Sequence, residues 1–283
     1  MSLVLAGTPL GNPGDGSLRL RQSIEDADFI AAEDSRKFHR LCLDLNVKFS
    51  GKVISFFEGN EEDRTEELLG HLRAGKKVLV VSDAGMPTIS DPGFRLMRDA
   101  IAQKIEVSVV PGPSAVTTAL ALSGLPTDRF IFEGFSPRAK GAREKFFESL
   151  RFEERSIIWF EAPHRLVESL EDAIKTLGDQ RLGAICREMT KTYEEIIRGT
   201  LGELLIWAKS KEILGELTIV IAGAEEGAHD VSSANIVARV KEYEEAGMDR
   251  KTAISTVAQE FDIAKRLVFS AVVEAKSTSK ISP

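Results

Sequence analysis

Cysteine is scarce in this chain. Two in 283 residues, Cys42 and Cys186, cannot build a disulfide framework, and neither belongs to a Cys-x-x-Cys pair. The short apolar segment Met1–Gly7 has no basic start and no small-residue cleavage site, so it reads as a strand rather than a signal peptide. A reduced, cytoplasmic protein is expected. Long apolar runs are missing too: none approaches the ~20 residues of a membrane helix. Histidine is limited to His39, His71, His164 and His229. None has a cysteine or a second histidine at metal-ligand spacing, so no metal site is expected. No Gly-x-Ser-x-Gly elbow occurs, which leaves a nucleophile triad unsupported. The segment Gly70-His71-Leu72-Arg73-Ala74-Gly75-Lys76-Lys77 falls short of a phosphate loop. Lys77 stands where Ser or Thr would bind magnesium, and a helix precedes the strand instead of following it. Gly75 reads as a helix C-cap. Basic excess is absent as well. With 37 Lys and Arg against 44 Asp and Glu, the formal charge is −7, which taken alone argues against a nucleic acid partner.

What is present is an ordinary globular composition, 43% hydrophobic and 29% charged, which excludes a disordered chain. Short β-rich runs occur at Leu3–Leu5, Phe29–Ala31, Val78–Val81, Glu106–Val110, Arg129–Phe132, Ser156–Phe160, Gly183–Cys186 and Leu217–Ile221. Between many of them lie helically spaced segments: Leu18–Ala27, Arg64–Ala74, Gly93–Gln103, Ala115–Ser123, Pro163–Leu177 and Leu201–Lys209. The alternation predicts an α/β fold, and continuous rather than alternating apolar runs predict strands covered on both faces. Turn-rich stretches at Gly124–Thr127 and Gly223–Asp230 divide the chain into an α/β domain over 1–124, a second α/β domain over 125–223 and an all-helical domain over 231–276.

Three loops follow strands and precede helices. Thr8-Pro9-Leu10-Gly11-Asn12-Pro13-Gly14-Asp15-Gly16 is either a ligand loop or a bare βα turn, and its glycine spacing does not fit the dinucleotide fingerprint. Ser82-Asp83-Ala84-Gly85-Met86-Pro87-Thr88-Ile89-Ser90-Asp91-Pro92-Gly93 is long enough to be functional. In it Asp83 is suited to accept hydrogen bonds from a ribose or amino group, while a cap for the helix over Gly93–Gln103 is an equal reading of Asp91. Pro111-Gly112-Pro113-Ser114-Ala115 opens a helix, and capping alone would account for Ser114.

Two charged clusters and the tail complete the reading. Ser136–Lys145 carries Arg138, Lys140, Arg143 and Lys145 and reads as a mobile basic loop, either a phosphate contact or a solvated face. Cys186–Lys191 either lines a cleft or begins a surface helix. In the tail, Ala253, Ile254, Val257, Ala258 and Phe261 keep helical phase up to Asp262, and Ile263–Ala275 resumes it. The pattern is like a helix-turn-helix, with Lys265 and Arg266 opening the second helix. A cap on the core and a dimerisation hairpin are the alternatives. Residues 231–283 hold eight basic and seven acidic side chains, so the rest of the chain carries −8.

Taken in order, several segments resemble the small-subunit ribosomal RNA methyltransferases of the tetrapyrrole methylase superfamily. They are Thr8-Pro9-Leu10-Gly11-Asn12, Ala31-Ala32-Glu33-Asp34-Ser35-Arg36, Ser82-Asp83-Ala84-Gly85-Met86-Pro87, Pro111-Gly112-Pro113-Ser114-Ala115, Gly124-Leu125-Pro126, Asp128-Arg129-Phe130, Glu133-Gly134-Phe135, Arg187-Glu188-Met189-Thr190-Lys191 and Gly215-Glu216-Leu217. The resemblance spans nearly the whole chain. It implies two α/β domains of the methylase type plus a small helical domain, a homodimer, and S-adenosylmethionine as methyl donor. The implied reaction is 2'-O-methylation of a cytidine in small-subunit (16S) rRNA, free or within the ribosomal small subunit. Carried over by position, the donor site would use Leu10, Gly11, Ser82, Asp83, Ala84, Ile89, Ser114 and Ala115, with Phe160, Glu161, Met189 and Leu217 from the second domain. Other branches of the superfamily read Gly-Pro-Gly-Asp-Pro in the first loop, where Leu10 and Asn12 stand here in place of Pro and Asp, and this favours the RNA branch.

A ribose hydroxyl is a poor nucleophile at neutral pH, so a base or a charge-stabilising contact is expected. Asp34 is the candidate to orient or deprotonate it, with a structural pairing to Arg36 as the alternative. RNA contacts are assigned to Arg138, Lys140, Arg143, Lys265 and Arg266. Two other readings stay open: a tetrapyrrole or diphthine methyltransferase, and a non-enzymatic RNA-binding assembly factor. A helix-turn-helix DNA regulator is a third.

Overall fold

In the computed structural model, residues 2–225, 233–261 and 263–278 are described. His229, part of the expected 223–230 linker and the turn residue Asp262 lie outside them. The first sheet holds β1 (Ser2–Ala6), β2 (Phe29–Ala32), β3 (Lys52–Ser55), β4 (Lys77–Val81) and β5 (Glu106–Val110), all parallel, in the order β3-β2-β4-β1-β5. Its helices are α1 (Leu18–Asp26), α2 (Ser35–Asp44), α3 (Glu61–Arg73) and α4 (Phe94–Ala102), and α5 (Ala115–Ser123) follows β5. Side chains alternate between two buried layers along each strand. Leu3, Leu5, Val78 and Val80 pack with Leu68, Leu72 and Leu96 of α3 and α4. Ala6, Ile30, Leu79 and Val81 pack with Leu20, Ile24 and Phe38 of α1 and α2. Strands covered on both faces account for the continuous apolar runs. Edge strand β5 departs from this, since Val109 is 46% exposed.

The second sheet is mixed. It holds β6 (Phe130–Phe135), β7 (Ser156–Glu161), β8 (Leu182–Arg187), β9 (Glu195–Thr200) and β10 (Leu217–Ile221) in the order β6-β7-β10-β8-β9. Only β6 and β7 pair in parallel. Helices α6 (Lys140–Ser149), α7 (Leu166–Leu177) and α8 (Leu201–Lys209) belong to this half. Helix α5 lays Val116, Ala119 and Leu120 against Ile158, Cys186 and Val220 of this sheet. It ends at Gly124 in the left-handed conformation (φ 77°), within the expected Gly-Leu-Pro turn. Both sheets, Met1–Glu148 with Ser156–Ala222, form one compact unit. A second unit joins Ser149–Arg155 to Gly223–Pro283. In it α9 (Ser233–Glu245), α10 (Arg250–Glu260) and α11 (Lys265–Thr278) bury Ile236, Val240, Ala253, Val257 and Val268 around one core. No helix among the described residues is long and apolar enough to cross a membrane.

The supposed loop over Ser136–Lys145 is mostly helix α6, and Arg143 within it is 2% exposed. Its Nε donates to Asp172 Oδ2 of α7 at 2.9 Å, and its guanidinium reaches Glu168 at 3.2 Å. Arg143 is therefore a strut between two helices and not an RNA contact. Its four-residue spacing from Phe147, which is also buried, turns both inward. Residues 188–191 form a tight turn between β8 and β9, not a helix, with positive φ at Glu188 and Thr190. Helix α2 and strands β3 and β9 were not foreseen.

Candidate active site

Four loops converge at the carboxyl edge of the parallel sheet: 7–16 after β1, Glu33 and Asp34 after β2, 82–93 after β4 and 111–114 after β5. Open α/β sheets bind ligands at this edge. The first and third loops are stitched by reciprocal backbone bonds. The Thr8 N–H donates to the Gly85 carbonyl at 2.8 Å, and the Gly85 N–H donates back at 3.1 Å. The first and fourth touch backbone to backbone: a Cβ on Gly112 would stand 2.8 Å from the carbonyl carbon of Gly7. Gly112 therefore permits the contact between the two loops. In the long loop Thr88 and Ser90 hold positive φ (75° and 61°), a strained state for non-glycine residues that is typical of functional loops.

Together the loops wall a cavity of about 400 Å³, within the range of small-molecule sites. Leu10, Asp83, Ala84, Ile89, Ser114 and Ala115, carried over by position in the resemblance, line it from the first sheet's loops. Phe160, Glu161 and Leu217 line it from β7 and β10. Three expected residues stand behind the wall. Gly11 lies under the Lys191 side chain. Buried Ser82 directs its hydroxyl to the Ala84 and Gly85 carbonyls at 3.4 Å. Met189 is buried with Val116, Leu120 and Cys186. Ser114 sits at the N-cap position of α5 but makes no side-chain cap bond, so capping does not account for it. Asp91 does not cap α4 either. Glu61 does, accepting from the N–H groups of Gly93 and Arg95 at 3.0 and 3.1 Å. That leaves Asp91 facing the cavity.

The lining is strongly acidic. Glu33, Asp83, Asp91, Glu161 and Glu216 face it, against the single cation Lys37. Some of these charges are paired. Lys37 Nζ sits 2.8 Å from Asp83 Oδ2, and Lys191 Nζ donates to Glu216 at 3.0 Å. Glu161 is buried and held by Arg165 at 2.8 Å, by the Ala162 N–H at 2.9 Å and by the Ser136 hydroxyl. Among the described residues neither Glu33 nor Asp91 has an ion-pair partner. Burial, helped by the charges of Glu33, Asp83 and Glu216, pushes the Asp91 carboxyl up to about 7. Burial also raises Glu33, although its Oε2 accepts the Asp83 N–H at 3.1 Å. Such a field selects for a cation, because a bound positive charge relieves carboxylates that repel one another.

Asp34 stands differently. It is the N-cap of α2, and its oxygens accept from the Arg36 N–H, Nε and NH2 groups at 2.8, 3.1 and 2.8 Å. Those bonds hold its carboxyl far below the usual range. It is not among the cavity residues, and its own N–H donates to Asp83 Oδ1 at 3.0 Å. The geometry matches the structural pairing with Arg36. Glu33, Lys37, Asp91, Phe135 and Glu216 are lining residues that sequence reasoning did not assign to the site. The signal for Glu33 was its place one residue past a strand end. Of the expected RNA contacts, Arg138 and Lys140 are exposed, and Lys265 and Arg266 line a hollow in the helical unit. Cys42 and Cys186 are buried thiols, both pushed up to about 11 by burial, and no cluster of three metal-ligating side chains occurs among the described residues.

Residues 2–205 match the family model described as Tetrapyrrole (Corrin/Porphyrin) Methylases. A Mycobacterium bovis protein named ribosomal RNA small subunit methyltransferase I is 45% identical over 275 residues, covering 97% of this chain and 95% of its own. A Thermotoga maritima protein of the same name is 44% identical over 223 residues, which make up 99% of that protein but 79% of this one. Among solved structures, the methyltransferase CobJ superposes with a TM-score of 0.60 at 17% identity, covering 82% of this chain and 96% of its own. This last likeness concerns the fold.

Proposed function

The chain belongs to the tetrapyrrole methylase family, among the relatives named ribosomal RNA small subunit methyltransferase I, and from that premise we propose that it transfers a methyl group from S-adenosylmethionine to the ribose 2'-hydroxyl of a cytidine in small-subunit rRNA. The observation that carries the reading is the cavity itself: nine of the residues matched to the family's donor site line it, and its unpaired charge is negative. S-adenosylmethionine, when bound, supplies an electrophilic methyl on a sulfonium cation. Glu33, Asp83 and Asp91 favour that cation. Leu10, Ala84, Ala115 and Leu217 offer small or apolar surface against which an adenosine fits. The stitched loops hold these side chains before the ligand arrives, so orientation is already set, and orientation can lower the barrier by up to ~7–11 kcal/mol.

The hydroxyl's proton needs an acceptor. Asp34, the first candidate, is a weak base while both its oxygens are engaged by Arg36. In this reading it holds the Asp83 loop in place. Asp91 has the better-matched basicity, since a general base works best when its pKa lies near the working pH. Arg138 and Lys140, exposed at the start of α6, are proposed to meet RNA phosphates. The reading includes a homodimer, for which Val109 on β5 and Phe130 on β6 offer exposed apolar surface.

A methyl-transfer assay on small-subunit particles lacking the modification, with mass mapping of the product, tests the proposal. The expected product is one 2'-O-methylcytidine. A methyl group mapped to a base atom, or none incorporated, overturns it. Calorimetry that detects no S-adenosylmethionine binding would favour the assembly-factor reading instead.

A further inference from the structure

The helical unit has a hollow of its own, of about 760 Å³. Arg250, Lys251 and Thr252 line it from the first turn of α10, and Lys265, Arg266 and Phe269 from the start of α11. We propose that this hollow holds an unpaired stretch of RNA, its phosphates on Lys251, Lys265 and Arg266 and one base against Phe269. The inference rests on the RNA reading above and assigns a second binding site to it.

Charge pairing within the unit singles out these cations. Arg239 takes up Glu242 and Glu260, Lys241 takes up Glu245, and Glu244 lies 3.8 Å from Arg250. Asp249 is spent on the N-cap of α10, accepting from the Lys251 and Thr252 N–H groups at 3.1 Å. Among the described residues Lys251, Lys265 and Arg266 are left without an ion pair, and all three are exposed. Among the described residues of the unit, three cations without an ion pair thus meet at one hollow, and no described carboxylate lines it.

Helical spacing aligns them. Lys265 and Phe269 are four residues apart and Arg266 and Phe269 three, so the cations and the ring share one face of α11. Lys251 and Ser255, also a lining residue, are likewise four apart on α10. Other faces of the two helices are committed to the core through Ala253, Val257 and Val268. Phe269 is 57% exposed, a cost in water that a stacked base would remove. Cations flanking an aromatic face are the arrangement by which proteins hold single strands: the charges track the backbone and the ring takes a base. A duplex keeps its bases stacked on each other and offers Phe269 nothing.

The test uses the full chain. Binding of an unpaired small-subunit rRNA oligonucleotide, and of the same sequence in a duplex, is titrated over a range of salt. The triple variant Lys251→Gln, Lys265→Gln, Arg266→Gln should lower the slope of log affinity against log salt by about 2, three contacts at ~0.7 each for single strands. Phe269→Ala should weaken binding by about tenfold and leave the slope unchanged. Lys265→Arg should bind as the parent does. Urea midpoints check that each variant is folded, and S-adenosylmethionine binding, measured on the same samples, keeps failure of this site apart from failure of the methyltransferase reading. An unchanged slope in the triple variant, or equal affinity for duplex and unpaired RNA, overturns the proposal.

Discussion

Replacing Arg143 by glutamine separates a structural from an RNA-binding role for this residue. The side chains of Arg143 and Asp172 are 2% and 4% exposed, and Nε and NH2 both lie 2.9 Å from Oδ2. Removing one partner of a buried pair costs about 3–5 kcal/mol, because the remaining charge is stranded. Here Lys175 stays 2.7 Å from the other Asp172 oxygen, which points to the lower end, ~3 kcal/mol. Glu168 is 69% exposed and adds little. A loss of ~3 kcal/mol lowers the folded-to-unfolded ratio by roughly a hundredfold, which a urea titration reads as a clear fall in midpoint at unchanged slope. Burial by itself raises the Asp172 carboxyl, but the bonds from Lys175 and Arg143 more than offset this and hold it below its usual value. The stability from that shift is present above the unfolded aspartate value near 3.8 and is lost as the pH falls through the folded value. The gap between parent and variant should therefore narrow in acid. Replacing both partners, Arg143→Met with Asp172→Leu, should restore most of the midpoint. An unchanged midpoint in Arg143→Gln, together with a reduced salt slope for RNA binding, would refute the structural assignment.

Asp91→Asn should remove a pH dependence. Since the folded carboxyl titrates near 7 against an ordinary 3.8, its contribution is full below the unfolded value and fades as pH rises through 7, so the parent loses stability over that window and the variant does not. Cation binding should also draw the proton from Asp91 near neutral pH, and calorimetry in buffers of different ionisation enthalpy should register its release in the parent alone. Ser114→Ala should leave the thermal midpoint unchanged, where loss of a true cap would cost about 1 kcal/mol, while S-adenosylmethionine binds more weakly. Gly112→Ala should destabilise by about 1–3 kcal/mol and loosen donor binding too, because its methyl meets the Gly7 backbone.

Most of the parallel sheet was legible because burial on both faces writes strands as apolar runs. The elements that escaped are those whose burial is partial. Strand β3 is a four-residue edge strand, and β9 is an edge strand that spends Glu195 on Arg187 and Lys211. Helix α2 shows its periodicity only through Phe38 and Cys42 among basic residues. Arg143 was misread for a related reason. A basic residue in a Gly/Ala-rich segment looks solvated until its partner, 29 positions away, is brought beside it. Contacts of that range leave no local trace. The lining of the cavity was more visible, since many of its residues cluster just after strand ends. What stayed hidden was which of two adjacent acids faces inward: Asp34 turns back to Arg36, while Glu33 reaches the cavity.

The same distinction reinterprets the net charge of −7. Much of the acidity belongs to the α/β unit, and five of its carboxylates, Glu33, Asp83, Asp91, Glu161 and Glu216, face one cavity, the proposed donor site. Negative charge there favours a sulfonium and opposes phosphate, so the surroundings of the donor site cannot supply generic affinity for RNA. That affinity has to come from separate cations, for which Arg138, Lys140 and the unpaired Lys251, Lys265 and Arg266 are available. With so few phosphate contacts and a repelling body, non-specific RNA should be released at modest salt, while a correctly shaped substrate adds contacts that salt does not screen. Selectivity for one folded site would then follow from the acidic balance itself.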